Sequence, residues 1–213
     1  MTPRVELLNA ENAPLLARPF FAGGDPGPIA ASMATVPELL DVAMPFLGAA
    51  LGPSSIPLRP KELVILRTSA LLSCRYCVAA HTPVAIDAGL TRAEVEALRD
   101  ERPVVEGFTD AKELALLGWV DAVATGTGPV DDAIADEMAT HWPDHHLVEL
   151  TVLIGATMLL NRYCSALGLP NSEETISRLA VEGYASGVVA DAEPHPTTGA
   201  TAAPVPVAVT VRP

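Results

Sequence analysis

Residues 60–81 read PKELVILRTSALLSCRYCVAAH. Leu63, Leu66 and Ala70 recur at helical spacing, and Pro60 fits a first helical turn, where a missing N–H costs little. The spacing predicts one helix from Pro60 to about Ser73. A second starts around Cys74-Arg75-Tyr76-Cys77 and ends at Gly89, a fitting C′ glycine. On that second helix Cys77 and His81 are four residues apart, so their Cβ atoms lie about 5–6 Å apart on one face. Cys74, three residues before Cys77, joins the same face. A cysteine in a first turn meets the positive end of the helix dipole, which favours the thiolate, the reactive form. His81 is then placed to take the thiol proton, and Glu62, on the preceding helix, to orient the imidazole and pass protons onward.

A C-x-x-C alone has three readings: a redox dithiol, part of a zinc site completed by His81 and Glu62, or a structural dithiol. No second C-x-x-C is present, and the remaining Cys164 is far along the chain. Val78, directly after Cys77, excludes a c-type haem attachment. The spacing to His81 favours redox chemistry. Glu62 also has an ordinary explanation, an acid in a first turn that complements the dipole.

The rest of the chain reads as helix. Residues 1–35 form an arm rich in Pro and Gly with little helix expected. Val36 to Leu51 is apolar at helical spacing, interrupted by Pro45 and stopped by Gly52-Pro53. Thr91 and Glu94 form a capping-box pair opening a short helix to about Asp100. Further helices fit Asp110–Ala124, Val130–Thr140 and His145–Leu167. The last, with Asp144 as its N-cap, is apolar nearly all round and so belongs to a core or a subunit interface. Gly168 and Pro170 end it, and Asn171 with Glu174 reads as another capping box before a helix to about Tyr184. Strand signals are weak, so the fold class is all-α. The helical domain spans 36–185, and 186–213 read as a disordered Pro/Ala/Thr tail. An echo links KELVILRTSALLSCRYC (61–77) with HHLVELTVLIGATMLLNRYC (145–164): both place an apolar helix before Arg-Tyr-Cys, as a duplicated helical unit would.

Composition narrows the function. Thirteen Lys and Arg against 26 Asp and Glu give a net charge of −13. No basic stripe for nucleic acid is visible, and an anionic membrane would repel the chain. Met1–Leu16 holds Glu6, Glu11 and Pro14 and has no apolar stretch long enough for a signal peptide. The longest apolar run, Leu150 to Leu160, is about half of a membrane span. The expectation is a cytoplasmic protein without nucleic-acid or membrane partners. His141, His145 and His146 cluster around Trp142-Pro143-Asp144, but a loop and a first helical turn account for them. Cys164 reads as a small buried apolar residue, and Asp131-Asp132 as a helix start.

The pattern of Glu62, a C-x-x-C twelve residues on, and His81 after three more resembles the AhpD-like alkylhydroperoxidases of the carboxymuconolactone decarboxylase superfamily. LRPKELVIL, CVAAH and AGLT are similar too. LGWVDAVATGTGPVDDAIADEM and LVELTVLIGATMLLNRYCSALGLP resemble the superfamily's second helical unit. The likeness runs from about Val36 to Pro170. It implies an all-helical bundle assembling into trimers or larger homo-oligomers. It implies Cys77 as the peroxidatic thiol, Cys74 as the resolving thiol, and His81 and Glu62 as the proton relay. Peroxide would oxidise Cys77 to a sulfenic acid, and Cys74 would condense with it to a disulfide. An external dithiol, in the family sometimes a lipoyl group on a protein, would reduce the pair. No cofactor or metal is implied. Family members carry a His just before the second Cys; this chain has Tyr76, whose hydroxyl, with an ordinary pKa of about 10, is no base at neutral pH. The expected activity is thiol-dependent reduction of alkyl hydroperoxides. The alternatives are a decarboxylase-type, lactone-acting enzyme, which needs no dithiol, and a non-enzymatic redox-sensing oligomer.

Overall fold

The structure is a computed structural model that describes residues 2–99 and 102–184. The predicted tail, 186–213, lies outside them. The described residues contain helices and no strands. A 3₁₀ turn, Arg18–Phe21, is followed by α1 (Gly27–Met33), α2 (Pro37–Leu51), α3 (Leu58–Leu71), α4 (Arg75–Asp87) and α5 (Arg92–Leu98). Then come α6 (Val104–Gly107), α7 (Ala111–Thr125), α8 (Asp132–His141), α9 (Asp144–Leu167) and α10 (Glu173–Val181).

α3 is the centre of the bundle, packed against α4, α7 and α9. Every residue from Lys61 to Ser69 is buried. Such a helix has no solvent face, so its charged side chains must find partners inside. Lys61 meets Glu149 of α9 at 2.9 Å and the Gly52 carbonyl at 2.5 Å. Arg67 binds Asp121 of α7 through two nitrogens, at 2.8 and 2.9 Å. Glu62 turns to α4. Arg59, at the start of α3, grips Glu94 of α5 and Glu113 of α7. These charge-assisted bonds fix the register of α3 against its neighbours, which apolar packing alone specifies less sharply. Leu63, Leu66, Leu116, Leu150, Leu153 and Ile154 fill the space between.

Thr91 and Glu94 make the predicted capping box, and Gly89 and Gly168 end α4 and α9 at φ 87° and 64°. Two N-cap expectations need correction, and residues 2–35, irregular over most of their length, hold a 3₁₀ turn and α1, with Pro28 in the first turn of α1. Ala13, Ala17, Phe21, Ala30 and Met33 share a core with Leu40 and Leu47 of α2 and Leu160 of α9. The N-cap of α10 is Ser172, whose hydroxyl accepts from Thr175 N–H, instead of Asn171. Asn and Ser cap about equally well, so the residue types do not decide between neighbours. The N-cap of α9 is Pro143, and Asp144 is its first residue.

By length and composition α9 could span a membrane. In the bundle it packs against α2, α3, α4 and α7 and buries Leu150, Leu153, Ile154, Ala156, Leu160 and Cys164. Its other side exposes Val148, Val152 and Leu159.

Candidate active site

Ser73 separates α3 from α4. It is the one non-glycine residue with positive φ, 54°, among the described residues. Its N–H bonds the Ala70 carbonyl, and the Cys74 N–H bonds the Ser69 carbonyl, each at 2.9 Å. This pair of bonds is a Schellman ending with serine in the place glycine usually takes. The chain turns sharply there, and Cys74 becomes the N-cap of α4. Its sulfur accepts the Cys77 N–H at 3.4 Å. The Cys74 thiol also points at Cys77, with the sulfurs 2.9 Å apart. Both thiols are reduced and buried.

One turn on, His81 Nδ1 meets Glu62 Oε2 of α3 at 3.0 Å. Glu62 is buried, while the imidazole keeps about a quarter of its surface exposed. The structure therefore brings all four expected residues to the α3–α4 junction. Cys74 and Cys77 touch each other, and His81 touches Glu62.

α9 supplies a third wall that the sequence reading missed. Cys164 packs with Cys74, Cys77 and Leu169 in one buried cluster, and the Asn161 side chain lies near enough to pull the Cys77 thiol down. The Asn161 amide donates to Ser69 Oγ at 3.0 Å, and Ser165 is a partner of Cys74. Cys164 was expected to be buried and is. The assignment as mere packing overlooked the repeat: the two Arg-Tyr-Cys echoes place Cys77 and Cys164 against each other. Asn161, Cys164 and Ser165 lie at helical i, i+3 and i+4, a signal legible only once the partner helix is known. The second echo runs unbroken through α9, so it has no counterpart to the Ser73 turn.

The thiols are not acidified as the helix dipole suggested. The neighbouring Cys164 thiol, together with burial, pushes the Cys77 thiol up to about 12, against the pull of Cys74 and Asn161. The bond to Cys77, and then burial, carry Cys74 well above the ordinary thiol range. Burial outweighs the dipole here because the first turn is covered: Leu7 and Ile29 pack over the cysteines, beside Leu167 and Leu169. Arg4 ties this cover down, its N–H to the Leu167 carbonyl at 2.9 Å and its guanidinium to the Ala166 carbonyl at 2.5 Å.

Tyr76, between the two cysteines, is itself raised above the normal phenol range by burial and by the three nearby sulfurs, so it supplies no base. Its ring lines a cavity of about 280 Å³ with Ile29, Met44, Leu47, Leu51 and Leu160. The walls of that cavity are apolar and come from α1, α2 and α9.

Among the described residues no group of three or more His, Cys, Asp or Glu is arranged to hold a metal. Near Trp142, the His145 and His146 rings lie 4.3 Å apart, centre to centre. His141 meets Glu137 at 3.2 Å, and His146 meets Ser55 at 3.0 Å.

A family model for the carboxymuconolactone decarboxylase family matches residues 37–122, a stretch that holds Glu62, Cys74, Cys77 and His81 but ends before α9. The uncharacterized protein YnjA of Escherichia coli (strain K12) is 31% identical over 118 residues. The match covers 54% of this chain and 63% of that relative, so the chain spans less than two thirds of its length. Among solved structures, the alkylhydroperoxidase AhpD core of an uncharacterized peroxidase-related protein from Ralstonia eutropha JMP134 superposes with a TM-score of 0.71. It is 16% identical, over 81% of this chain and 94% of that one, a likeness of fold. A protein of unknown function from Agrobacterium tumefaciens, described as a putative antioxidant defence protein AhpD, is 28% identical with a TM-score of 0.58. That match covers 66% of this chain and 96% of the other.

Proposed function

We propose, from the premise that this chain is an AhpD-like member of the carboxymuconolactone decarboxylase superfamily, that it is a thiol-dependent peroxidase acting on apolar hydroperoxides. Membership and fold support an enzyme of peroxidase-like or decarboxylase-type activity. The observation that carries the finer reading is the buried Cys74–Cys77 pair, sulfurs 2.9 Å apart, one helical turn from a His81–Glu62 hydrogen bond. A decarboxylase-type reaction has no use for that dithiol.

In this reading His81 takes the Cys77 proton and Glu62 steadies the imidazolium across the α3–α4 interface. A base is needed because Cys77, held near 12, is a thiol at neutral pH. The thiolate attacks the terminal peroxide oxygen. The O–O bond breaks, the alkoxide leaves and takes up the proton, and Cys77 is left as a sulfenic acid. The Asn161 side chain, which pulls the Cys77 thiol down, steadies the anion before attack. Cys74 condenses with the sulfenic acid, releasing water and forming the disulfide. An external dithiol restores both thiols. The apolar cavity beside Tyr76 supports an organic hydroperoxide as substrate over hydrogen peroxide. The exposed apolar side chains of α2 and α9 support assembly into a homo-oligomer.

The test is steady-state turnover of cumene hydroperoxide and of hydrogen peroxide with a dithiol reductant, for the wild type and Cys77→Ser. Turnover that is lost in the variant, and that favours the organic substrate, is expected. Equal rates for the two proteins would end the proposal.

A further inference from the structure

We propose that Cys164 is a second resolving thiol, able to form a Cys77–Cys164 disulfide in place of Cys74–Cys77. This inference rests on the peroxidase reading above and extends it to a residue outside the matched family stretch.

Cys77 has a sulfur on each side. Cys74 lies 2.9 Å away within the same turn of α4. Cys164 reaches this site from α9 and packs in the same buried cluster as Cys74 and Cys77. Both flanking thiols are closed to solvent, at 0% and 1% exposure, and Cys77 keeps 5%. An electrophilic sulfur formed on Cys77 therefore meets two intramolecular thiols before any external one. The α4–α9 packing that holds Cys164 there belongs to the central bundle, so no segment has to refold to bring the sulfurs together.

Two routes lead to the new bond. In the first, the Cys164 sulfur attacks the Cys77 sulfenic acid directly. The S–O bond breaks, an S–S bond forms, and the thiol proton leaves with hydroxide as water. The two electrons delivered to the peroxide come from Cys77 and Cys164. In the second, the Cys164 thiolate attacks Cys77 within a Cys74–Cys77 disulfide. One S–S bond replaces another, and Cys74 leaves as a thiolate with no net oxidation. Either route ties α4 to α9 covalently and leaves Cys74 reduced. A site that has lost Cys74 to over-oxidation thereby keeps a way to rescue the Cys77 sulfenic acid.

Trypsin puts each cysteine in its own peptide, 68–75 for Cys74, 76–92 for Cys77 and 163–178 for Cys164. The experiment adds one equivalent of cumene hydroperoxide to the reduced full chain, blocks free thiols and maps cross-linked peptides without reduction. Dimedone is present in parallel to capture sulfenic acid. The wild type is expected to give a 68–75/76–92 link. Cys74→Ser is expected to give a 76–92/163–178 link and little dimedone adduct. In Cys74→Ser/Cys164→Ala the dimedone adduct on Cys77 should rise at least about tenfold over Cys74→Ser, since no internal thiol remains to capture the sulfenic acid. Cys164→Ala alone should keep the 68–75/76–92 link, which shows that the fold and the Cys74 route survive its loss. A Cys74→Ser protein that gives only the dimedone adduct, with no link to 163–178, overturns the role of Cys164 and leaves the peroxidase reading standing. A wild type in which Cys77 is never oxidised overturns both.

Discussion

The carboxylate of Glu62 and the imidazole of His81 meet at 3.0 Å across the α3–α4 interface, the carboxylate buried and the ring partly open. A buried acid hydrogen-bonded to a partly exposed histidine fixes the ring's orientation. If this pair moves the Cys77 proton, Glu62→Gln keeps a hydrogen bond but loses the charge. Its kcat/KM for peroxide should fall by about a hundredfold, the low end for loss of a general base. His81→Gln should cost about as much, and the double variant little more, because the two act as a unit. Wild-type rates in Glu62→Gln at pH 7 would remove the relay.

The Cys77 thiol, pushed up to about 12 by the neighbouring Cys164 and by burial, sets two pH dependences. Without the histidine, ionisation of the thiol itself limits reaction. The alkylation rate of Cys77 in His81→Gln should climb steadily from pH 7 to pH 10 with no plateau near the ordinary thiol pKa of about 8.5. Stability follows the same shift. The folded state holds the proton more tightly than the unfolded chain, so unfolding releases protons once the pH exceeds the unfolded value. The contribution is fully present below about pH 8.5 and is lost as pH rises toward the folded value. The urea midpoint of the wild type should therefore drop between pH 8 and pH 10.5, and Cys77→Ser should drop less. A plateau at pH 8 in the alkylation profile would show that the dipole wins after all.

Ser73 turns the chain at φ 54° so that Cys74 can cap α4. A residue with a Cβ is strained in that region by about 1–2 kcal/mol, and glycine is not. Ser73 is exposed and carries the turn through its backbone alone. Ser73→Gly should then raise stability by about 0.5–1 kcal/mol, after allowance for the extra freedom glycine brings to the unfolded chain. The Cys74–Cys77 link should form as in the wild type. Chemical denaturation measures the first and peptide mapping the second. A loss of stability would mean that the serine side chain holds the turn.

These results show where the sequence was legible. The placement of Cys74, Cys77 and His81 within two turns at the start of α4 was legible from the sequence, because helical periodicity turns separation into geometry. The capping box at Thr91 and Glu94 and the stop glycines Gly89 and Gly168 were equally clear, since each rests on local backbone needs. Asn161 and Cys164 were not found: they meet the dithiol only through the packing of α9 on α4, and no local rule carries that. The packing of the N-terminal segment was hidden for a related reason: its Ala, Met and Phe side chains show their purpose only against α2 and α9. The thiol acidity failed for want of the same tertiary fact, since Leu7 and Ile29 cover the helix start from a segment some 45 or more residues away along the chain.

Assembly is legible in the faces left uncovered. On α9, Val148, Val152, Gly155 and Leu159 follow one another at spacings of four, three and four, and the three large ones are 64%, 43% and 50% exposed. On α2, Leu39, Val42 and Phe46 stand at spacings of three and four and are 50%, 64% and 48% exposed. Single exposed apolar residues are normal, but two helical stripes on a chain of net charge −13 are what a partner helix would cover. Light scattering should therefore give the mass of a homo-oligomer for the wild type. Val152→Glu and Phe46→Glu add a charge at positions that are open in the single chain, so each should alter folding stability by no more than about 0.5 kcal/mol. The same charge buried without a partner in an interface is costly, so the variants should dissociate at concentrations where the wild type stays assembled. Circular dichroism separates that outcome from unfolding. A wild type that runs as a monomer at micromolar concentration, or variants whose mass does not change, would mean that these stripes face solvent in the working protein.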